Sequence, residues 1–98
     1  MAHTFGNELR RMPIYSGDSH EKHGEITVFD DGLVFEQGNF KMPLHRSFIE
    51  GISVQRALAQ SKFEVLIKYY NFMGNTMEMT LIMNDEDYKF LSAKVGRR

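Results

Sequence analysis

The sequence predicts one α+β domain, mainly β, in which an antiparallel sheet of about six or seven strands precedes a single C-terminal helix. Three observations lead to this prediction. Over residues 25–83, apolar and polar side chains alternate in runs separated by turn residues, which is typical of half-buried strands. The closing stretch NDEDYKFLSAKVGRR changes to a helical period. A chain of 98 residues is long enough for one hydrophobic core and too short for two.

The stretch ITVFDDGLVFEQGNFKMPL contains two turn signals and predicts a three-stranded meander. We expect a two-residue loop at 31–32, where Asp-Gly suits the positive φ angles of a tight hairpin, and this loop would place Val28 opposite Phe35. A second loop at 38–39 would continue the sheet and create an ion pair across its outer side. The apolar residues of the three strands then share one face: Ile26, Val28, Leu33, Phe35, Met42 and Leu44.

The stretch KFEVLIKYYNFMGNTMEMTLIM predicts a long hairpin around a loop at 71–75. Tyr69 would lie opposite Met77 and Ile67 opposite Met79, which places both apolar rows on one face. Upstream of the hairpin, SFIEGISVQ predicts a short strand with a bulge or bend at Gly51. The connecting RALAQSK is expected to form a loop or a brief helical turn.

The C-terminal helix has its own start signal and apolar stripe. Asn84 or Asp85 suits the N-cap, and Tyr88, Leu91 and Val95 recur at helical spacing. The chain 1–98 is then a single domain with three parts: a polar leader over 1–24 that includes a first strand near 9–15, the sheet over 25–83 and the helix over 84–96.

This order of elements resembles the PH-like superfold, in particular the small prokaryotic PH and GRAM-type domains and the PH-like part of archaeal chemotaxis adaptors. The likeness covers roughly residues 24–95 and depends on GEITVFDDGLVFE, on MPLHRSFIEGISV and on the final helix. It implies a curved, partly open β-roll capped by the helix, which binds proteins or lipid headgroups and catalyses no reaction. Eukaryotic phosphoinositide-binding members carry clustered basic residues in the first hairpin loop, whereas the loops here are DDG and QGN, so a lipid headgroup is disfavoured.

Composition excludes several classes of function. The chain has no cysteine, which excludes disulfides and thiolate metal sites, and its formal charge of −1 gives no general attraction to nucleic acid. No apolar run approaches the roughly 20 residues needed to span a bilayer. The opening MAHTFGNELRRM lacks the apolar core of a signal peptide, so we expect a cytoplasmic protein.

Two groups of residues suggest chemistry but lack part of what that chemistry requires. His20 and His23 have no clear third ligand nearby in the sequence, so we expect no metal site and no cofactor. His45 and Ser47 could act as base and nucleophile, but they share a face only if the strand stays regular, and the sequence favours a solvated edge instead. We therefore expect no enzyme activity.

The outward face of the long hairpin predicts the binding surface. Leu66, Tyr70 and Ile82 are apolar on that face, and Phe72 and Met73 lie in the adjoining loop. Such a patch would bind a protein partner or a second copy of the chain, unless the leader near 14–15 covers it. The sequence thus predicts a non-catalytic protein-interaction or adaptor module.

The alternative function is binding of an anionic ligand or a lipid headgroup. Its binding residues would be Arg10, Arg11, Lys41 and Arg46, if the fold brings these cations together. A third class, single-stranded nucleic acid binding, would use exposed aromatic side chains such as Phe29 and Tyr70 as stacking platforms in a basic groove, but the neutral overall charge argues against it.

Overall fold

The computed structural model describes residues 5–16 and 21–95, which form a seven-stranded antiparallel sheet and one C-terminal α-helix. This confirms the predicted fold class. The elements in chain order are β1 (Glu8–Tyr15), β2 (Lys22–Phe29), β3 (Gly32–Gln37), β4 (Phe40–His45), a single 3₁₀ turn (Arg46–Phe48), β5 (Ile49–Leu58), β6 (Lys62–Tyr70), β7 (Thr76–Asn84) and α1 (Asp85–Val95). In these ranges, no helix has the length and apolar character needed to cross a membrane.

The sheet runs in the order β4-β3-β2-β1-β7-β6-β5, so β4 and β5 are its two edge strands. Between β1 and β7, the only paired residues in the described ranges are Tyr15 and Ile82. The sheet is therefore divided at this junction into two halves, β1–β4 and β5–β7. Apolar side chains from both halves form one cluster, which means that the halves face each other across a common core.

The core takes its side chains from every strand and from α1. From the first half it receives Met12, Ile14, Ile26, Val28, Leu33, Phe35 and Leu44, and from the second Ile49, Val65, Ile67, Leu81 and Met83. Helix α1 adds the fully buried Leu91, and its Tyr88 meets Phe63 edge to face at 5.6 Å. The helix covers the end of the roll where β6 begins and β7 ends.

Two of the three predicted hairpin registers are confirmed. Across the loop at 38–39, Phe35 lies opposite Met42, and the predicted ion pair forms between Lys41 Nζ and Glu36 Oε2 at 3.4 Å. In the long hairpin, Tyr69 lies opposite Met77, and the predicted inward face is the buried one.

The register predicted for the first hairpin is wrong by two residues. Asp30 and Asp31 form its turn, and Val28 lies opposite Leu33 rather than Phe35. The N-terminal segment holds this turn, because the Asp31 N–H donates to a carbonyl of that segment at 2.8 Å and the Asp30 N–H to another at 3.1 Å. A shift of two residues keeps each apolar side chain on its predicted face, so the core is unaffected.

The connection between β5 and β6 also differs from the prediction. RALAQSK forms neither a long loop nor a helical turn, because β5 continues to Leu58 and the chain reverses within 59–61. Gln60 and Ser61 adopt φ angles of 62° and 60°. Such positive φ angles are usually found at glycine or asparagine, and neither residue type occurs in this turn. The break in strand register expected at Gly51 is confirmed between Ile49 and Gly51.

Candidate functional site

An apolar groove of about 300 Å³ opens between edge strand β4 and the end of the β6–β7 hairpin; we call it the seam groove. Met42, Leu44 and Phe48 line one side, and Tyr69, Phe72 and Met77 line the other. Within the described ranges, neither β4 nor β5 has a strand partner on its outer edge. Its volume is at the lower end for ligand pockets, which suits one or two large side chains.

Exposed apolar side chains surround this groove. Phe72 and Met73 are 92% and 75% exposed, and Phe48 and Met77 are each 39% exposed. Phe40 on β4 is 57% exposed but lies outside the groove lining, and its ring meets the Phe35 ring at 6.1 Å. Isolated exposed apolar residues are ordinary, whereas a group of this size around a concave surface indicates a binding site.

The β6–β7 loop at 71–75, which we call the hairpin tip, is held in one shape by its own hydrogen bonds. Asn71 Oδ1 accepts from the backbone N–H groups of Met73 and Asn75, both at 3.0 Å. The Asn71 N–H donates to the Asn75 carbonyl at 3.0 Å, and the Gly74 N–H donates to the Asn71 carbonyl at 2.9 Å. Gly74 takes a φ of 85°, which favours glycine. The tip therefore presents Phe72 and Met73 on an ordered turn.

The structure brings together part of the predicted binding patch. Tyr70 and Phe72 line the seam groove, and Met73 lies on the same loop. Leu66 and Ile82 are half-buried on the outward face of β6 and β7, and neither lines the groove. Ile82 pairs with Tyr15 of β1, so the leader does reach this part of the hairpin.

Sequence reasoning missed the inward-facing half of the site. The sequence places Met42, Leu44, Tyr69 and Met77 on the core face. Leu44 belongs to the core cluster and Met42 and Tyr69 pack against it, whereas Met77 is 39% exposed. Strand alternation tells which side chains share a face, but not whether the two edges of a rolled sheet close over that face. The absence of a charged residue between Lys68 and Glu78 was the available signal for an apolar rim.

A second cleft of about 460 Å³ lies where β1 and β7 diverge. Apolar side chains form its walls, among them Phe35 and Met79, and the side chains of His23 and Gln37 contact each other there. Ile82 lines this cleft rather than the seam groove. Ile82 and the groove-lining residues Tyr70 and Phe72 therefore belong to two different concave surfaces.

Arg10, one of the four predicted anion-binding cations, is bound to the C-terminal helix. Its Nη2 and Nε donate to Asp87 Oδ1 at 2.8 and 3.1 Å, and its guanidinium lies 5.2 Å from the centroid of the Phe90 ring. The Asp87 side chain is almost fully buried. This contact joins β1 to α1 and occupies the guanidinium.

Arg11 and Lys41 lie on the outer face of β1–β4, which is turned away from the core. Together with Glu8 and Glu36 they line one shallow hollow of about 270 Å³. Arg11 forms ion pairs with Glu8 at 2.8 Å and with Glu25 at 3.4 Å. The hydrogen bond from Arg11 lowers the pKa of Glu8. The hollow therefore contains carboxylates beside its cations.

Two further groups affect the local charge. The hydrogen bond that Lys22 donates lowers the pKa of Glu25, which thus favours the ionised form. Arg46 lies in the 3₁₀ turn, where its backbone N–H donates to the Asp31 carbonyl at 2.8 Å, and it does not line the hollow. The structure thus brings together two of the four predicted cations.

His45 and Ser47 are in contact, but their geometry is that of a helix cap. His45 Nδ1 accepts from the Ser47 backbone N–H at 3.1 Å and lies 2.9 Å from Ser47 Oγ. Because the same nitrogen caps the 3₁₀ turn, the contact has a structural explanation. The His45 ring also meets the Phe5 ring edge to face at 5.7 Å.

The remaining candidates are placed as follows. In residues 5–16 and 21–95, no three His, Asp or Glu side chains are arranged to hold a metal ion. His20 lies outside the described residues. Phe29 is buried, with its ring 6.4 Å from that of Phe5, so it offers no open face for a nucleotide base.

Comparison with models of protein families gave no match, and neither did a search among curated proteins.

Proposed function

We propose that this chain is a non-catalytic protein-interaction module with a PH-like fold, and that the seam groove and the hairpin tip bind apolar side chains of a protein partner. The observation that most directly supports this proposal is the ordered hairpin tip. It holds Phe72 and Met73 at 92% and 75% exposure beside an apolar groove. An adaptor role and a cytoplasmic location belong to the same proposal. The order of strands and the C-terminal helix support the PH-like assignment.

The lining residues suit a protein surface more than a small polar ligand. Aromatic and methionine side chains are enriched at the centres of protein interfaces, and methionine adapts its shape to different partners. Charged residues are depleted at such centres, and the groove lining contains no lysine, arginine, aspartate or glutamate. Burial of Phe72 against a partner would remove a large apolar surface from water.

The partner is expected to bind through side chains rather than by adding a strand. Edge strand β4 carries Pro43, which lacks an N–H, and an exposed Lys41, and both features obstruct strand pairing. Edge strand β5 has two breaks in register, one after Ile49 and one after Val54. Neither edge offers a long regular row of hydrogen-bonding groups.

The anionic-ligand alternative has weaker support. Arg11 and Lys41 do line one hollow, but Glu8 and Glu36 line it as well and would repel an anion. Arg10 does not line this hollow, because it donates to Asp87 of α1. If inositol hexakisphosphate bound to the hollow with an affinity that fell with salt and was lost in Arg11→Gln, the alternative would replace the proposal.

Selection of random peptides displayed on phage tests the proposal. We expect binders with aromatic or large aliphatic anchors, and we expect Phe48→Glu to abolish their binding because it places a charge in the groove wall. Val54→Glu is the matched control, since Val54 is 37% exposed and Phe48 39%, and Val54 lies on β5 outside the groove lining. If the selected peptides bind both variants equally, or if no peptide is selected, the proposal is wrong.

A further inference from the structure

We infer that the seam groove is occupied by the hairpin tip of a second copy of this chain, so that two copies form a two-fold dimer by reciprocal insertion. This inference rests on the proposed function and names its partner. Three features support it: the position of the tip beside the groove, the exposed area and the distribution of charge.

The tip and the groove form a convex and a concave surface side by side. Phe72 borders the groove, yet its side chain is 92% exposed and therefore does not fill it. In a two-fold dimer, if one region of the first copy contacts another region of the second, the reverse contact also forms. A protruding tip adjacent to a groove meets this condition, because a single axis between them lets each tip enter the other groove.

The hairpin tip is already ordered before it binds. Four hydrogen bonds within 71–75 fix its backbone, two of them to Asn71 Oδ1. An ordered loop loses less conformational freedom on binding than a flexible one, so more of the gain from burying Phe72 and Met73 is retained. Insertion does not require the loop to refold.

The exposed area agrees with a weak dimer. At about 200 Å² for a large side chain, the exposed parts of the four rim residues amount to roughly 500 Å² per copy. Standard interfaces bury about 800 Å² per partner. A dimer built on this rim is therefore at the lower end of specific interfaces, and we expect it to dissociate on dilution. The four rim residues are Phe48, Phe72 and Met77 at the groove and Met73 on the hairpin tip.

The charge distribution permits two copies to meet at this surface. The nine residues 69–77, YYNFMGNTM, include no charged side chain, so insertion of the tip buries no unpaired charge. The formal charge of the whole chain is −1, which gives little repulsion between copies. A different protein with an apolar protrusion is the alternative occupant, and the experiments below distinguish it from a second copy.

The first experiment is sedimentation equilibrium of the full chain over a wide range of concentrations. We expect a monomer–dimer equilibrium whose dissociation constant rises at least roughly tenfold in Phe72→Ser, as at other interface anchors. Phe72 is almost fully exposed, so the variant should retain its fold. Val54→Ser, on β5 outside the groove lining, is the control and should dimerise as the wild type does.

The second experiment tests the geometry through disulfide formation. The chain has no cysteine, so Phe72→Cys and a tagged Phe48→Cys chain can pair only with each other or with themselves. Reciprocal insertion predicts that the mixed disulfide forms faster than the bond between Phe72→Cys and a tagged Val54→Cys chain. Equal rates, or no mixed disulfide, would overturn the inference.

Failure of the inference can be distinguished from failure of the proposed function. If the wild type stays monomeric while peptides still bind in a manner that Phe48→Glu abolishes, the second-copy inference is wrong and the proposed function stands. If no such peptides bind either, both are wrong. If the monomeric chain binds phosphatidylcholine vesicles and Phe72→Ser does not, the tip belongs to a membrane surface and the inference is overturned.

Discussion

Asp87 is the only charged residue that is buried among the residues the structure describes. It accepts two hydrogen bonds from Arg10, whose guanidinium also lies against the Phe90 ring. Because Arg10 belongs to β1 and Asp87 to α1, the contact fixes the helix against the first half of the sheet. The sequence suggested Arg10 as an anion-binding residue, and the structure shows that a carboxylate of the chain already occupies it.

Replacement of Asp87 should destabilise the fold. In Asp87→Asn the charge-assisted hydrogen bonds from Arg10 are lost, and we expect a decrease of about 1–3 kcal/mol in the free energy of unfolding, since Arg10 is partly exposed to solvent. Glu86→Gln is the control, because Glu86 lies beside Asp87 in the first helical turn and is exposed. Urea unfolding of both variants measures the difference, and equal stability would contradict a structural role for the ion pair.

The ion pairs on the outer face of β1 and β2 should make stability depend on pH. The hydrogen bond from Lys22 lowers the pKa of Glu25 in the folded chain below its ordinary value of 4.5. A depressed folded-state pKa contributes stability above the unfolded-state value, and this contribution is lost as the pH falls through the folded-state pKa. Glu25→Gln should therefore weaken the acid-side decrease in the urea midpoint, whereas Glu50→Gln, on the edge strand β5, should not. An identical acid profile in wild type and Glu25→Gln would contradict this assignment.

The strands and loops show which local features the sequence can predict. Alternation located the strands, and the Gly-Asn loop at 38–39 predicted the correct register. The Asp-Gly signal failed at 31–32, since hydrogen bonds from a segment more than twenty residues away select a different turn. The reversal at 59–61 could not be predicted, because Gln60 and Ser61 adopt positive φ angles that their residue types rarely favour.

Gly32 fixes the approach of β3 to β4. A Cβ added at Gly32 would lie 2.6 Å from the Leu44 carbonyl oxygen, and this backbone atom cannot move without breaking the strand pairing. We expect Gly32→Ala to reduce the free energy of unfolding by about 1–3 kcal/mol. Gly51→Ala is the matched control in β5, where a Cβ meets no atom within 4 Å among those described. Thermal melts compare the two, and similar midpoints would mean that β3 and β4 are not held this closely.

Asn71 should control binding through the shape of the hairpin tip. Asn71→Ala removes the acceptor of two hydrogen bonds in the hairpin tip, so Phe72 and Met73 lose their fixed positions. We expect the affinity for a groove-binding peptide to fall by roughly three- to tenfold with little change in stability. Asn75→Ala is the control, because Asn75 contributes backbone groups to these hydrogen bonds. Calorimetry measures the peptide affinity of each variant. Equal affinities of wild type and Asn71→Ala would show that binding does not depend on an ordered tip.

The molecule as a whole explains why the site was only partly predictable. Of the predicted patch, Tyr70 and Phe72 line the groove, and Met73 lies on the loop beside it. The other half of the site depends on how near β4 and the end of the β6–β7 hairpin lie to each other, which no single strand pattern contains. Leu66 and Ile82 were included because they share a face with Tyr70, yet Ile82 lies at the junction with β1.

The methyl resonances of the seven methionines provide the most direct test that the seam groove is the binding surface. In a titration of the full chain with a selected peptide, the groove account predicts shifts at Met42, Met73 and Met77, which lie at the groove or the tip. Met12 and Met83 are fully buried away from the groove and should not move, so they serve as internal references. A peptide that binds without shifting Met42 and Met77 would contradict the account.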